Sequence, residues 1–157
     1  ATRRRVGDDP ARAVVHLRTE GRMGAGTRVG LRAGSFEFAA DEPVSVGGTG
    51  TAANPVQLAL AALGSCQAIT YRYWAEQLGL RLDGVTVEVE ADFDVGAFFG
   101  FPGSGTPAPS GVRCSVVLEG PEPPGRYDEL VEVVDEHCPL LDLFTRPVPV
   151  ERSVTIA

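Results

Sequence analysis

Alternation of apolar and polar residues near the start of the chain predicts an antiparallel sheet. Residues 13–18 are rich in branched apolar side chains and predict a first strand. After a glycine-rich turn signal at 21–26, residues 27–33 alternate polar with apolar, which is the period of a half-buried strand. Residues 35–39 alternate again after Gly34. Three short strands joined by turn signals indicate a meander.

Helical spacing replaces this alternation at residue 55. Asn54 is a favourable N-cap, and Pro55 suits the first helical position. From there to about residue 78, apolar and small residues recur with helical period, and the first half is apolar nearly all round. We therefore expect a long helix, buried on several sides, that ends at Gly79.

Two strands and an irregular insertion follow the helix. Residues 82–91 carry valines at alternate positions, and residues 112–118 predict the next strand. Between them, segment 93–110 is rich in glycine, proline and phenylalanine, and is too apolar for a solvated loop. We expect this segment to pack over an apolar surface, beside a site or a partner subunit.

The last third of the chain predicts one helix and one strand. The helix begins at Pro123 or Pro124 and runs to His137, where Pro139 stops its continuation. Residues 148–156 then predict a final strand. The order is βββ-α-ββ-α-β, an α+β pattern with antiparallel sheets around a long central helix.

Composition limits the class of protein. The 157 residues are 43% hydrophobic, which predicts one domain over 11–157 behind a flexible, basic arm at 1–10. The net charge of −7 argues against a nucleic-acid partner, because phosphate neutralisation needs a basic face. No apolar run is long enough to cross a membrane, and none follows the arm as a signal peptide would. We therefore expect a cytoplasmic protein without a membrane partner.

Three cysteines carry the candidate chemistry. Their odd number and wide spacing, without a CxxC pair, argue against a disulfide framework and against a structural zinc site. Cys66, inside an apolar helix, is either a small hydrophobic residue or a reactive thiol. Cys138 lies at a predicted helix C-terminus, which disfavours a thiolate and suits a resolving thiol. Cys114 shares its strand face with Val112 and Val116, so we expect it to be core packing.

Few other side chains suit thiol chemistry. Arg28 and Arg32 share one strand face, which is either a solvated surface or the source of a guanidinium that lowers the pKa of Cys66. Arg18 and Arg22 are further candidates. His137 adjoins Cys138, but neighbouring residues on a helix point about 100° apart, so a structural or surface role is favoured for it. We expect no metal and no bound cofactor.

Two segments resemble the cysteine motifs of the OsmC/Ohr family, the osmotically inducible and organic hydroperoxide resistance proteins. The first covers 50–58 and 61–66, which read GTAANPVQL and AALGSC, and the second is the His-Cys-Pro at 137–139. The strand order and central helix match too, so the resemblance covers nearly the whole chain after residue 11. Residues 36–43 and 71–73 are similar to a less characterised OsmC-like branch.

The resemblance implies an intertwined homodimer with two sites at the subunit interface, and thiol peroxidase chemistry without metal or cofactor. It makes Cys66 the peroxidatic thiolate that attacks an organic hydroperoxide and becomes a sulfenic acid. Cys138 then condenses with it to a disulfide, and a dithiol reductant resets the pair.

One position departs from the family pattern. Well-studied members carry a glutamate directly after the Asn-Pro, which helps orient the activating arginine, whereas this chain has Val56. Glu42, in the loop before, is the candidate to supply that carboxylate, and Arg28 is the first choice for the arginine. Two other interpretations stay open: a non-catalytic OsmC-like dimer that binds a hydrophobic small molecule, and a dimeric scaffold without chemistry.

Overall fold

A computed structural model of the chain describes residues 6–156. The chain divides into two compact units, one ending at Pro55 and the other beginning at Val56. The predicted arm at 1–10 lies partly outside the described residues, and the assignment of 11–157 to a single domain stays a prediction. No helix among the described residues is both long and apolar enough to cross a membrane.

The first unit contains a three-stranded antiparallel sheet, which confirms the meander except for the position of its first strand. Its strands, in sheet order, are β1 (Thr19–Met23), β2 (Val29–Ala33) and β3 (Phe36–Ala40). Gly34, with φ of +60°, makes the tight turn from β2 to β3, a conformation that glycine adopts without strain.

The strand predicted over 13–18 is wrong. Residues Pro10–Ala13 form a 3-10 turn, and β1 begins only at Thr19. Thr19 pairs with Ala33, the last residue of β2, so β2 offers no backbone partner to the residues before Thr19. Val14 and Leu17 are accordingly exposed.

The buried carboxylate of Asp41 accepts hydrogen bonds from the glycine-rich loop between β3 and residue 55. Asp41 accepts hydrogen bonds from the Thr27 hydroxyl at 2.7 Å, from the Thr49 backbone N–H at 3.1 Å and from the Thr51 N–H at 3.2 Å. The Thr49 hydroxyl also donates to it. Gly48 lies so close to the Glu42 backbone that a Cβ would overlap the Glu42 carbonyl. Internal hydrogen bonds and one close backbone approach therefore hold this loop.

The long helix α1 (Pro55–Leu78) has the predicted bounds, and from Val56 onward it belongs to the second unit. The helix ends in a Schellman motif: Gly79 has φ of +66°, and the Leu80 N–H donates to the Ala75 carbonyl at 2.8 Å. Its burial differs from the expectation, because one side remains open within the chain. The exposed residues of that side include Ala61, Ala62, Ser65 and Ile69.

Strands β4 (Gly84–Ala91) and β5 (Val112–Glu119) pair antiparallel, as predicted. The segment between them contains the short helix α2 (Val95–Phe99). Phe98, Phe99 and Phe101 are exposed, and their rings contact one another at centroid distances of 5.3 and 6.0 Å. Because residues 6–156 leave these rings exposed, packing against an apolar surface, beside a site or a partner subunit, stays a prediction.

Two helices complete the fold, α3 (Pro124–His137) and α4 (Pro139–Thr145). Pro139 does end α3, but it also starts α4 at once, which the sequence analysis did not predict. The core of this unit joins α1, α3 and the segment after α1, through Tyr71, Ala75, Leu80, Leu82, Leu130 and Val134. Val116 and Leu118 of β5 pack against it.

The final strand predicted over 148–156 is wrong. No described residue in this segment belongs to a strand, and Val150 and Ile156 are exposed. A strand requires a neighbour that satisfies its backbone groups, and neither sheet pairs with this segment. The α+β class with antiparallel sheets and a long helix nevertheless holds.

The core makes the first prediction. Leu130 is fully buried, so Leu130→Ala removes apolar contacts and leaves a cavity, at a cost of about 2–5 kcal/mol in the free energy of unfolding. Leu143→Ala is the matched control, because Leu143 is half exposed and the same truncation there costs little. Urea denaturation measures both; equal shifts in the two variants would contradict this core.

Asp41 makes the second prediction. Hydrogen bonds from the Thr49 and Thr27 hydroxyls hold the pKa of Asp41 well below its usual range. A depressed pKa stabilises the folded state above the unfolded pKa of about 3.9, and this contribution is lost as the pH falls below it. Asp41→Asn should therefore lower the free energy of unfolding at pH 7. In this variant the free energy of unfolding should also fall less steeply between about pH 4 and pH 2. Asp128 is exposed, so Asp128→Asn is the control and should change neither the stability at pH 7 nor its loss in acid. Thermal unfolding curves recorded across this pH range measure both variants.

Candidate functional site

The structure brings together Cys66 and Cys138, which the sequence analysis singles out as a pair. Their sulfur atoms are 3.6 Å apart, although the residues are 72 positions apart in the chain. Cys66 is half-buried, and Cys138 is only 1% exposed. A disulfide needs an S–S distance of about 2.05 Å, so a modest side-chain movement closes the bond. Both residues lie in the second unit.

Pro139 restricts the backbone conformation of Cys138, the residue before it. The residue before a proline is disfavoured in helical conformation, and Cys138 is extended, with φ −81° and ψ 110°. Its N–H donates to the Val134 carbonyl at 2.9 Å and closes α3. Its carbonyl accepts from the Asp142 N–H at 3.1 Å and opens α4. Cys138 is thus fixed at a junction of two helices, and not only at the C-terminus of one.

Opposing influences act on the Cys66 thiol. Burial is the largest influence and raises its pKa, and the neighbouring Cys138 raises it further. The Leu140 backbone N–H lowers the pKa, and so does the Thr70 hydroxyl to a smaller extent, but together they do not cancel the rise. The Thr70 hydroxyl donates its hydrogen bond to the Cys66 carbonyl at 2.7 Å. This environment therefore favours the thiol form of Cys66 over its thiolate.

Sequence reasoning missed both of these donors. Leu140 follows Pro139 at the start of α4, where an N–H has no partner within the helix. The proline after Cys138 is therefore the signal from which a free N–H near the thiols was predictable. Thr70 lies one helical turn after Cys66, which is also a readable spacing.

Cys114 does not fill the core, so that expectation is wrong. The residue is exposed, because α3, which covers Val116 and Leu118 on the same strand face, ends at His137. Partial burial raises the pKa of the Cys114 thiol, and the nearby Cys138 and Asp135 add to the rise.

His137 and Tyr71 take structural positions. The His137 ring lies 4.5 Å from the Trp74 ring, and its Nδ1 is 2.8 Å from the Val133 carbonyl. This supports the structural role that the sequence favours. Burial, reinforced by Asp135, raises the pKa of Tyr71 to about 12, so its phenol is neutral at physiological pH.

Arg28 and Glu42 belong to the first unit. Arg28 lines a shallow depression of about 690 Å³ on the sheet, together with Arg22 and Arg32. Arg32 pairs with Glu20 at 3.3 Å, whereas Arg28 has no ion-pair partner among residues 6–156. The roles of Arg28 and Glu42 toward Cys66 stay predictions.

Metal-ligating side chains do not converge in the described part of the chain. Among residues 6–156, no group of three or more His, Cys, Asp or Glu side chains has an arrangement that could hold a metal ion.

The third prediction concerns the pKa of Cys66 when single neighbouring groups are removed. Cys138→Ala removes two influences that raise the pKa of Cys66, so that pKa should fall. Thr70→Val removes a hydroxyl that lowers the pKa of Cys66, so that pKa should rise. The pH dependence of Cys66 alkylation, followed by mass spectrometry, measures both shifts. Ser65→Ala is the control, since its hydroxyl bonds the Ala62 carbonyl; shifts of the same sign in the two variants would contradict this arrangement.

Comparison with known proteins places the site in context. The model of the family described as OsmC-like protein matches residues 48–153, which include Cys66, Cys114 and Cys138. No protein of curated function matches the sequence.

Several solved structures share the fold at low sequence identity. An OsmC-like protein from Mycoplasma pneumoniae is 14% identical with a TM-score of 0.71, over 83% of this chain and 87% of the other. An organic hydroperoxide resistance protein OsmC from Legionella pneumophila is 22% identical with a TM-score of 0.63, over 84% and 90%. An organic hydroperoxide resistance protein from Elizabethkingia anophelis is 15% identical with a TM-score of 0.65, over 84% and 89%.

Proposed function

Because the chain belongs to the OsmC-like protein family, we propose that it reduces organic hydroperoxides through a cycle of thiol oxidation at Cys66 and Cys138. The observation that carries the proposal is the 3.6 Å separation of the two sulfur atoms. Solved structures of the same fold include organic hydroperoxide resistance proteins, which supports the choice of substrate class.

The proposed cycle balances with one hydroperoxide and two thiols. The Cys66 thiolate attacks the terminal peroxide oxygen, the O–O bond breaks, and the alkoxide leaves as an alcohol after taking up a proton. Cys66 is then a sulfenic acid. The Cys138 sulfur attacks the Cys66 sulfur and displaces hydroxide, which leaves as water. A dithiol reductant restores both thiols by exchange.

The half-buried position of Cys66 suits the attacking role, and the buried Cys138 suits the resolving role. The Leu140 N–H and the Thr70 hydroxyl are donors that stabilise negative charge on the Cys66 sulfur. Because burial still holds the pKa of Cys66 up, efficient attack at neutral pH needs a cation as well. We assign that role to Arg28, with Glu42 as the carboxylate that orients it in place of Val56.

An intertwined homodimer is part of the proposal. Ala61, Ala62 and Ile69 leave an apolar stripe of α1 exposed within one chain, and a second copy is the occupant that the family suggests. The cytoplasm is the proposed compartment, because there reducing systems keep free thiols available.

Thiol titration makes the fourth prediction. One equivalent of cumene hydroperoxide should consume Cys66 and Cys138 and yield a disulfide between them, read by mass spectrometry of unreduced peptides. Cys66→Ser should abolish hydroperoxide consumption, and Cys138→Ser should stop at the sulfenic acid, which dimedone traps. If neither thiol of the parent protein is consumed, the peroxidase proposal fails.

A groove of about 310 Å³ between α1 and β4, lined by Leu60, Gly64, Val87 and Val89, favours a second candidate function, which is binding of a hydrophobic small molecule. The Cys66→Ser variant distinguishes the two. A binding protein keeps its ligand affinity in this variant, whereas a peroxidase loses its reaction.

Arg28 makes the fifth prediction. Loss of a charge-assisted hydrogen bond of about 1.5–3 kcal/mol should slow the reaction of Cys66 with hydroperoxide about 10- to 100-fold in Arg28→Met. Arg32→Met is the matched control on the same strand face, since Arg32 already pairs with Glu20. Stopped-flow oxidation rates measure both. Equal rates in the two variants would remove Arg28 from the site.

A further inference from the structure

The three-stranded sheet of the first unit has one charged face and one apolar face. On β2, Gly30 and Arg32 lie on one face and Val29 and Leu31 on the other, because successive residues of a strand point to opposite sides. Arg22 of β1 pairs directly with Gly30 and shares its face. A second copy of the chain gains more by burying the apolar face. The charged face is thus the one that the proposed homodimer leaves open.

Gly30 is the centre of the shallow depression on this charged face. Arg22 lies directly across from it on β1, and Ala39 lies directly across on β3. Arg28 and Arg32 line the same depression, each two positions from Gly30, which is roughly 6.5–7 Å along the strand. An added Cβ at Gly30 would meet only the Arg22 carbonyl oxygen, at 3.8 Å. The space above Gly30 is therefore open, and three arginines surround it.

Two of these three arginines have no counter-charge. The acidic residues that line the depression, Glu20 and Glu37, both lie directly opposite Arg32, and Glu20 pairs with it at 3.3 Å. Arg22 and Arg28 have no ion-pair partner within residues 6–156. The chain has 21 acidic residues against 14 arginines, so a shortage of carboxylates does not explain this. Two unneutralised guanidinium groups beside an open space favour an anion from outside the chain.

We propose that this depression binds a small molecule that carries a phosphate monoester, held by Arg22 and Arg28. Two guanidinium groups match the charge of a phosphate monoester near neutral pH. Each of them can direct two parallel N–H donors at the phosphate oxygens. The depression has a volume of about 690 Å³, within the range of about 300–1,000 Å³ for small-molecule sites. It therefore also has room for the organic part of the ester.

The inference does not depend on the proposed peroxidase cycle, because its tests measure binding and not hydroperoxide consumption. The cycle also assigns a role to Arg28, whereas Arg22 has no part in it. Arg22 therefore separates the two assignments. Binding of the phosphate by a protein whose thiols do not react with hydroperoxide would leave this site standing and end the peroxidase proposal.

Isothermal titration calorimetry with ribose 5-phosphate tests the site, and ribose is the uncharged probe. We expect saturable binding of ribose 5-phosphate and none of ribose. Arg22→Met and Arg28→Met should each weaken the affinity about 10-fold or more, since each removes a charge-assisted contact. Arg152→Met is the matched control, because it removes the same charge from an exposed residue outside the sheet. An affinity in Arg22→Met equal to that in Arg152→Met, or no saturable binding by the parent protein, would overturn the site.

Filling the depression separates a shaped site from general attraction to surface charge. Gly30 does not have a positive φ, so valine suits its place in the strand, and Gly30→Val occupies the open space without changing any charge. We expect the affinity for ribose 5-phosphate to fall about 10-fold or more, as after loss of an arginine contact. Circular dichroism checks the fold, and Gly30→Ala replaces this variant if it does not fold. An unchanged affinity would show that charge alone attracts the ligand, and would overturn the site.

Vesicles distinguish a soluble phosphate ester from a lipid headgroup. Phosphatidylcholine vesicles with about 20% phosphatidic acid present a phosphate monoester on an anionic surface. The net charge of −7 disfavours approach of the chain to such a surface, so we expect no cosedimentation with these vesicles. Cosedimentation that Arg22→Met abolishes, without binding of ribose 5-phosphate, would overturn the assignment to a soluble ligand.

Discussion

The packing of α3 against α1 and β5 is the constraint on which the second unit depends. Leu130 and Val134 are fully buried and fix the axis of α3, so the residue one turn later, Cys138, has little choice of position. Because Tyr71 and Ala75 of α1 belong to the same core, that packing also sets the distance between Cys138 and Cys66. The thiol pair is thus a consequence of ordinary apolar burial.

Burial has a chemical cost at this site. It protects the sulfurs from solvent, but it also disfavours the thiolate that any attack requires. Two neutral groups, the Leu140 N–H and the Thr70 hydroxyl, oppose part of this effect on the pKa of Cys66. Neither of them needs a charged partner. Neutral donors alone leave the pKa of Cys66 raised, so the proposed peroxidase reaction would need a further source of stabilisation for the thiolate.

The sequence predicted elements well where a single local pattern sufficed. Helix α1 was predictable to the residue because Pro55 and Gly79 mark its two ends and helical spacing fills the interval. The prediction of a strand over 13–18 was wrong because a strand forms only by pairing with a neighbour. The register with β2, which decides this pairing, cannot be read from composition. The prediction that Cys114 is core packing was wrong for a related reason. Alternation predicts which face of the strand a residue occupies, but not where the helix that covers this face ends. Leu140 was missed because a backbone N–H has no residue-type signal, apart from the proline before it.

The 72-residue separation between the two thiols links oxidation to folding. Closing a loop of this length restricts the unfolded chain far more than the folded one, in which the sulfurs already meet, and such a cross-link is worth about 3–5 kcal/mol of stability. Thermodynamic reciprocity requires that the fold favour the disulfide by the same amount relative to the unfolded chain. Each turnover would then alternate between a more and a less stable molecule, and its redox state would also govern its resistance to unfolding.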